Sequence, residues 1–406
     1  MDPGSSSPGA FRRPGLPSPQ LLEVSMSSLT DDLVVEILSR LPLNSFCRFK
    51  CVCKSWCALS SDPHYRKKFP RNPIGMFYQI PEYRTDIHLA RLPSSNQEID
   101  TTLSFVPCYE DLQLMGCSNG LLLCYHGGIR TYFADISHVI VCNPATQEWM
   151  SLPNTEPGPS SSGCDLVLCF DPSWSQHFHV LSFQFLSSTV GEAFTEVKIF
   201  FSENFIWSSC RWRIETRFQG SPRFLNGVLY VNGLLDHVLL AIDAPDPCTR
   251  LLSQRIIQLP GFPNDLGVFS WCSGCLCQSL GVLCYAQQEF DGCMMRIWSL
   301  EGTDSWVVRH RLSMNNVFGR DLLLRTDHNG FRRFDYDIFD FDLGRELVIL
   351  VDRIDHKIIS FSISTGKGSE ILKVPEFGFL YGSQLYVPYY GKFPASVLQR
   401  AEDEWE

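Results

Sequence analysis

Two hydrophobic rhythms divide the chain. Between residues 28 and 60, apolar positions recur every three or four residues, as on one side of a helix. Leu33, Val34, Ile37, Leu38 and Leu41 make the first such stripe. Ser28 or Thr30 stands where a helix cap belongs, and Asp31 and Asp32 suit the positive end of the helix dipole. Asp32, Glu36 and Arg40 fall on the opposite face, where Glu36 and Arg40 are spaced to pair. Pro42 disfavours helix at Leu41, and Asn44 or Ser45 restarts it. Phe46, Phe49, Cys53 and Trp56 then form a second stripe, which Asp62-Pro63 ends. A module of about 40 residues is too small to cover every apolar face from within. Part of its stripe is expected to meet another protein, as amphipathic helices do in helix-in-groove contacts.

From about residue 74 the rhythm changes to short apolar runs broken by Gly, Pro, Asn and Asp, the pattern of strands and turns. Strands are predicted at Leu121–Tyr125, His138–Cys142, Asp165–Phe170, Val197–Phe201, Val228–Val231, Val238–Ile242, Gly281–Tyr285, Met294–Trp298, Leu347–Val351 and Ile358–Ile363. A Gly-centred turn leading into a strand recurs at Asn119-Gly120, Asn226-Gly227 and Leu280-Gly281. A closing Leu-Pro or Val-Pro marks several units, at 152–153, 259–260 and 374–375. The spacing of roughly 40–55 residues fits one four-stranded propeller blade per unit. The fold class is therefore mainly β, a helical module followed by a β-propeller-like body of about six to seven blades. The run Gln384–Tyr389 is placed to close the ring onto the first unit. An array of β-sandwiches is the alternative arrangement.

Composition narrows the setting. The chain has 406 residues, 44% of them hydrophobic and 13% aromatic, with a formal net charge of −10. Residues 26–70 carry seven Lys/Arg against four Asp/Glu, a local balance of +3, and residues 1–25 sum to zero, so the remainder carries −13. An acidic body repels phosphate backbones, which argues against nucleic acid as a partner. No apolar run approaches the ~18 residues a membrane span needs. Of 17 Cys, Cys124, Cys142, Cys169 and Cys284 sit inside apolar runs. They read as reduced, buried residues of a cytoplasmic or nuclear protein rather than as a disulfide framework. Residues 1–26, rich in Ser, Pro and Gly, are expected to be a disordered tail, and residues 396–406 an acidic one.

Candidate chemistry is sparse. Cys272, Cys275 and Cys277, with Cys284 or Cys293 as a fourth ligand, are the best metal candidates, but the segment reads rather as a turn entering a strand with small core residues. Asp335, Asp337, Asp340 and Asp342 miss the EF-hand pattern at Phe339 and fit a strand with a bulge near 338–339. His177 and His179 read as surface or core histidines. Trp207, Trp212, Trp271, Trp298 and Trp306 read as blade core, or as aromatic anchors on a propeller face. Nucleophile-elbow, phosphate-loop and zincin motifs are absent from the sequence, and no cofactor is expected.

Residues 27–70 resemble the F-box. The resemblance rests on Leu41-Pro42, Arg48-Phe49, Cys51-Val52-Cys53-Lys54-Ser55-Trp56 and Ser61-Asp62-Pro63. Many members of that family begin with Leu-Pro where this chain has Leu29-Thr30, and Thr serves as a helix cap. Residues 71–395 resemble the F-box-associated, kelch- or propeller-like domain of plant F-box proteins. The carriers here are Cys142-Asn143-Pro144-Ala145-Thr146 with Trp149 and Leu152-Pro153, then Phe224–Tyr230, then Arg296–Leu300 with Ser305-Trp306-Val307. The resemblance implies a three-helix F-box that docks a Skp-family adaptor and, through it, the cullin and RING subunits of an SCF ubiquitin ligase. It implies adaptor contact, or support of that contact, for Leu29, Leu33, Ile37, Leu38, Leu41, Pro42, Val52, Cys53 and Trp56. The β body would then bind an unknown protein substrate, and the chain itself would do no chemistry. Two other readings compete: an enzyme using the propeller's central cavity, and an F-box scaffold that delivers no substrate.

Overall fold

The computed structural model describes residues 30–39, 72–80, 86–93, 95, 99–107, 109–127, 137–153, 164–186, 194–212, 218–233, 237–244, 253–261, 274–326, 332–373, 384–391 and 393. Helix α1 runs over Asp31–Ser39, and the Thr30 carbonyl accepts the first amides, from Leu33 at 3.0 Å and Val34 at 3.1 Å. Thr30 is therefore the residue at the cap, with Asp31 and Asp32 in the first turn as their charge requires. The second predicted helical stripe lies outside the described residues.

The body begins with β1 (Gly75–Tyr78) and β2 (His88–Arg91). Four-stranded antiparallel sheets follow in chain order. The first is β3 (Leu112–Ser118), β4 (Leu121–Gly127), β5 (Ser137–Asn143) and β6 (Glu148–Ser151). The second is β7 (Cys164–Cys169), β8 (His179–Leu186), β9 (Phe194–Phe201) and β10 (Ile206–Trp212). The third is β11 (Phe218–Leu225), β12 (Val228–Gly233), β13 (Val238–Asp243) and β14 (Gln254–Gln258). The fourth is β15 (Cys275–Ser279), β16 (Val282–Gln288), β17 (Met294–Glu301) and β18 (Ser305–Ser313). A short helix α2 (Met314–Phe318) and the hairpin β19 (Leu324–Thr326) and β20 (Arg332–Phe334) lead to the fifth sheet. That sheet is β21 (Tyr336–Asp342), β22 (Leu347–Asp352), β23 (Lys357–Ser362) and β24 (Lys367–Lys373). Finally β25 (Leu385–Tyr386) returns to pair antiparallel with β1, Gly75 opposite Tyr386, and completes a sixth blade of order β2-β1-β25.

The ring follows from strand periodicity. Successive side chains point to opposite faces of a sheet, and here each face is covered by a neighbouring blade. Leu121, Leu123, Val139 and Val141 join the core shared with the second blade, whereas Leu122, Cys124, Ile140 and Cys142 join the one shared with the closing blade. Leu166 and Leu168 face the first blade, while Val167 and Cys169 face the third. Further shared cores join the third blade to the fourth, the fourth to the fifth, and the fifth to Met76, Ala90 and Leu92 of the closing blade. All ten predicted strands are found, and the predicted closure by the run at 384–389 is present. Asp337, Asp340 and Asp342 of the acidic run lie in β21 and Asp335 just before it, with the register shift between Ile338 and Asp340 that a bulge requires.

The two-residue turns between first and second strands all stand at one end of the ring. Asn119-Gly120, Asn226-Gly227 and Leu280-Gly281 have positive φ at both positions, as in the type I′ hairpin turn. Asn and Gly accept that backbone readily. Leu does not, because its Cβ crowds the carbonyl oxygen at a cost of about 1–2 kcal/mol. Gly120 is required for a second reason: a Cβ there would lie 2.6 Å from Tyr389 and Val387, in the segment that follows β25.

Two outcomes are expected. Tyr386 is fully buried and meets Phe77 edge-on at 4.8 Å inside the closing blade. Tyr386→Ala should lower unfolding free energy by about 3–5 kcal/mol, whereas Glu370→Ala, on the exposed strand β24, should stay within about 0.5 kcal/mol; urea unfolding measures both. Leu280→Asn should raise stability by about 1 kcal/mol by relieving the left-handed leucine, read as a higher urea midpoint with unchanged slope.

Candidate functional site

Two surfaces carry functional potential, and they differ in chemistry. The first is α1. Val34, Val35 and Leu38 are buried, while Leu33 and Ile37, one turn apart on the other side, are each 51% exposed. A nine-residue helix with apolar residues on both sides has more oily surface than one packing face uses. Of the residues expected at an adaptor contact, Leu33 and Ile37 are open and Leu38 supports the module from inside. Leu29, Leu41, Pro42, Val52, Cys53 and Trp56 lie outside the described residues.

The second surface is a cavity of about 590 Å³ at the end of the ring where the type I′ turns gather. The ends of the innermost strands line it: Ser118 of β3, Arg223 and Leu225 of β11, Cys277 and Ser279 of β15, Asp340 and Asp342 of β21, and Leu385 of β25. Hydrogen bonds tie blade to blade around its wall. Asn119 Nδ2 donates to the Phe170 carbonyl at 2.7 Å, the Asn226 amide to Asp171 Oδ2 at 2.9 Å, and Ser279 Oγ to Asp342 Oδ1 at 3.0 Å. Asn143 Nδ2 donates to the Tyr389 carbonyl at 2.9 Å, anchoring the segment after β25 onto the first blade.

A buried ion pair crosses the cavity. Arg223 Nη2 stands 3.1 Å from Asp340 Oδ2, joining the third blade to the fifth. Asp340 also accepts the Leu385 amide at 2.8 Å and the Phe341 amide at 2.9 Å, so one carboxylate holds the closing strand and its own strand together. Proximity within 4 Å is not alignment: neither Nη of Arg223 forms a hydrogen bond with a described residue. Burial works against the guanidinium charge, Asp340 and neighbouring thiols favour it, and the balance raises its pKa. Burial, and then Asp340, pushes the Cys277 thiol well above its usual range, and burial pushes Cys117 up to about 12. Both stay protonated at neutral pH, so neither is a ready thiolate nucleophile.

The other residues singled out from sequence fall elsewhere. Gly274 turns the chain into β15 at φ +92°, and Cys275 and Cys277 donate to the Phe339 and Phe341 carbonyls of the next blade. Cys272 lies outside the described residues. His179 is a core residue beside Trp174 and Phe201. Trp298 is buried, and Trp207 and Trp306 donate to the carbonyls of Pro153 and Gln258 as parts of blade walls. The exposed tryptophan is instead Trp174, 45% accessible and packed against the Gly227 turn. Arg223 and Trp174 were not singled out by pattern, although an arginine inside the otherwise turn-and-strand phrase Ser-Pro-Arg-Phe-Leu-Asn-Gly was the available signal.

Comparison with known proteins agrees with this architecture. The family described as "F-box protein At3g26010-like, beta-propeller" matches residues 96–323, and the F-box domain matches residues 26–68. F-box protein At5g07610 of Arabidopsis thaliana is 27% identical over 329 residues, 75% of each chain, and putative F-box protein At3g10240 is 25% identical over 69% of this chain and 70% of its own. Other matches are partial: the chain spans 39% of putative F-box protein At3g52320, at 29% identity over 37% of this chain. A chain of the nidogen/laminin complex aligns with a TM-score of 0.39 at 10% identity, over 77% of this chain and 98% of that one, a likeness too slight to carry an argument. The family match covers more than half of the chain, so this protein belongs to the At3g26010-like F-box proteins with a β-propeller, and its propeller has six blades.

Proposed function

We propose that this chain is the substrate-recognition subunit of an SCF-type ubiquitin ligase. In this reading residues 27–70 form the F-box, which docks a Skp-family adaptor and through it the cullin and RING subunits. Residues 71–395 form the propeller that holds a protein target, with tails at 1–26 and 396–406, in the cytosol or nucleus. The observation that carries the reading is the apolar pair Leu33 and Ile37, half exposed on a helix inside the F-box match whose other apolar residues, Val34, Val35 and Leu38, are buried. Leu29, Leu41, Pro42, Val52, Cys53 and Trp56 complete the adaptor contact, and Leu38 braces it.

The mechanism is positioning. Binding a target beside a ubiquitin-charged enzyme converts a bimolecular encounter into an effectively unimolecular one, which raises the rate without any reacting group from this chain. The chain is accordingly a non-catalytic receptor. A propeller enzyme fits less well, because the cavity's thiol, Cys277, is held protonated and the Asp340 carboxylate is engaged by two backbone amides and Arg223.

The test is adaptor capture by the full chain. Replacing Leu33 and Ile37 together with Asp should weaken capture at least tenfold, since central apolar anchors are each worth about 2 kcal/mol or more. The thermal midpoint should not move, because both side chains are half in water already. Undiminished capture by the double variant would refute the assignment of this face.

A further inference from the structure

The cavity holds a positive charge whose hydrogen-bonding capacity the ring leaves partly unused. Arg223 is only 7% exposed and lines the cavity, yet its Nη1 has no hydrogen-bond partner among the described residues. A buried guanidinium donor without an acceptor is costly. The nearby acids do not supply one. Asp340 is committed to the Phe341 and Leu385 amides beside its contact with Arg223, and Asp342 Oδ1 accepts from Ser279 Oγ and, at 3.0 Å, from the Gly344 amide. Asp342 Oδ2 lies 3.4 Å from Arg345 Nε.

The mouth carries a second anomaly. Leu280 is 82% exposed and left-handed at φ 52°, in the position that Asn119 and Asn226 fill in the sister turns. Although its side chain lies against Gly344 of the next blade, a leucine this exposed in a strained turn, where asparagine suits the backbone better, breaks the local rule. Such departures concentrate at functional positions. On the same end of the ring, Trp174 presents an aromatic face beside Ser173, which lines the cavity.

We propose that the cavity receives an aspartate or glutamate side chain from an extended segment of the target protein, with Arg223 as its anion partner and Leu280 and Trp174 packing against apolar residues on either side of that acid. This rests on the reading of the propeller as the target-binding half. A monoanion fits better than a phosphate, because Asp340 and Asp342 share the cavity and repel a second charge. A volume of about 590 Å³ takes one or two side chains but not a folded element. The apolar mouth lies outside the space a small free carboxylate would occupy, which favours a peptide.

The experiment immobilises the full chain bound to its Skp-family adaptor. It measures retention of two pools of short synthetic peptides, one with a central Glu between randomised apolar flanks and one identical but for Gln. Retention of the Glu pool should exceed that of the Gln pool about tenfold, as a charge-assisted hydrogen bond predicts. Arg223→Met should abolish the difference. Leu280→Asn should lower retention of the Glu pool several-fold while the urea midpoint holds or rises, so that lost binding is separated from lost folding even if the Arg223 variant is unstable. Equal retention of both pools, retention of neither, or full displacement of the Glu pool by millimolar succinate with no effect of Leu280→Asn would each overturn the proposal. Adaptor capture is scored on the same samples: its loss in the unmodified protein would refute the ligase reading, whereas failure of peptide discrimination with capture intact would refute only this one.

Discussion

The ring depends on the pairing of β25 with β1. Each blade is apolar on both faces, because alternate residues of its middle strands feed the cores on either side. A blade with one uncovered face would expose a row of Leu, Val and Ile, so no blade is complete until the last meets the first. The closing contact is short, two residues of strand, and is reinforced from outside the sheet. Asp340 accepts the Leu385 amide, Asn143 grips the Tyr389 carbonyl, and Glu148 accepts the Phe393 amide at 3.1 Å. These polar bonds all lie in or near the end that holds the cavity. Closure of the fold and construction of the cavity are therefore one event: the carboxylate that secures the last strand is also the one facing Arg223.

That coupling explains a feature which stability alone does not. A buried ion pair carries a desolvation cost that often equals its Coulomb gain. An apolar pair would fill the centre of a six-bladed ring at least as well. Asp340 nevertheless satisfies two backbone amides, so the acid has a structural role. The arginine opposite it, with donors to spare, does not have an equal one. Asp340 accepts two amides while the Nη groups of Arg223 donate to no described residue, and that asymmetry is the basis for proposing a negatively charged ligand. The helix α1, in contrast, offers only Leu33 and Ile37 as apolar surface. One chain thus presents an oily contact and an electrostatic one, whose specificities need not interfere.

The sequence made the middle of each blade legible and the margins much less so. Nine of the ten predicted strands lie second or third in their blades, where both faces are buried and apolar residues run without a break, as at Leu121–Cys124 and Val238–Ile242. The outer strands were not seen: β24 has mostly exposed residues and β14 shows one buried position in five, so neither has a hydrophobic rhythm to detect. Among the inner strands, β11 is hidden by Arg223, a polar residue that interrupts the apolar pattern in order to line the cavity, whereas the acidic run of β21 is legible as a strand despite Asp340. The Asn-Gly turns were recognised, but not that they meet at one end of the ring, since that follows from closure and not from any single repeat. For the same reason the tryptophans picked by their surroundings proved to be wall residues where they are described, and Trp174, in a turn with an unremarkable composition, is the exposed one.

In the proposed assembly the two recognition surfaces are separate, with the adaptor gripping α1 and leaving the cavity end of the ring free. Hydrogen–deuterium exchange of the full chain, with and without a Skp-family adaptor, measures this directly. Slowed exchange across the amides of Asp31–Ser39, with unchanged exchange at the Asn119, Asn226 and Leu280 turns, is the expected result. Protection of those turns by the adaptor, with α1 unaffected, would contradict it.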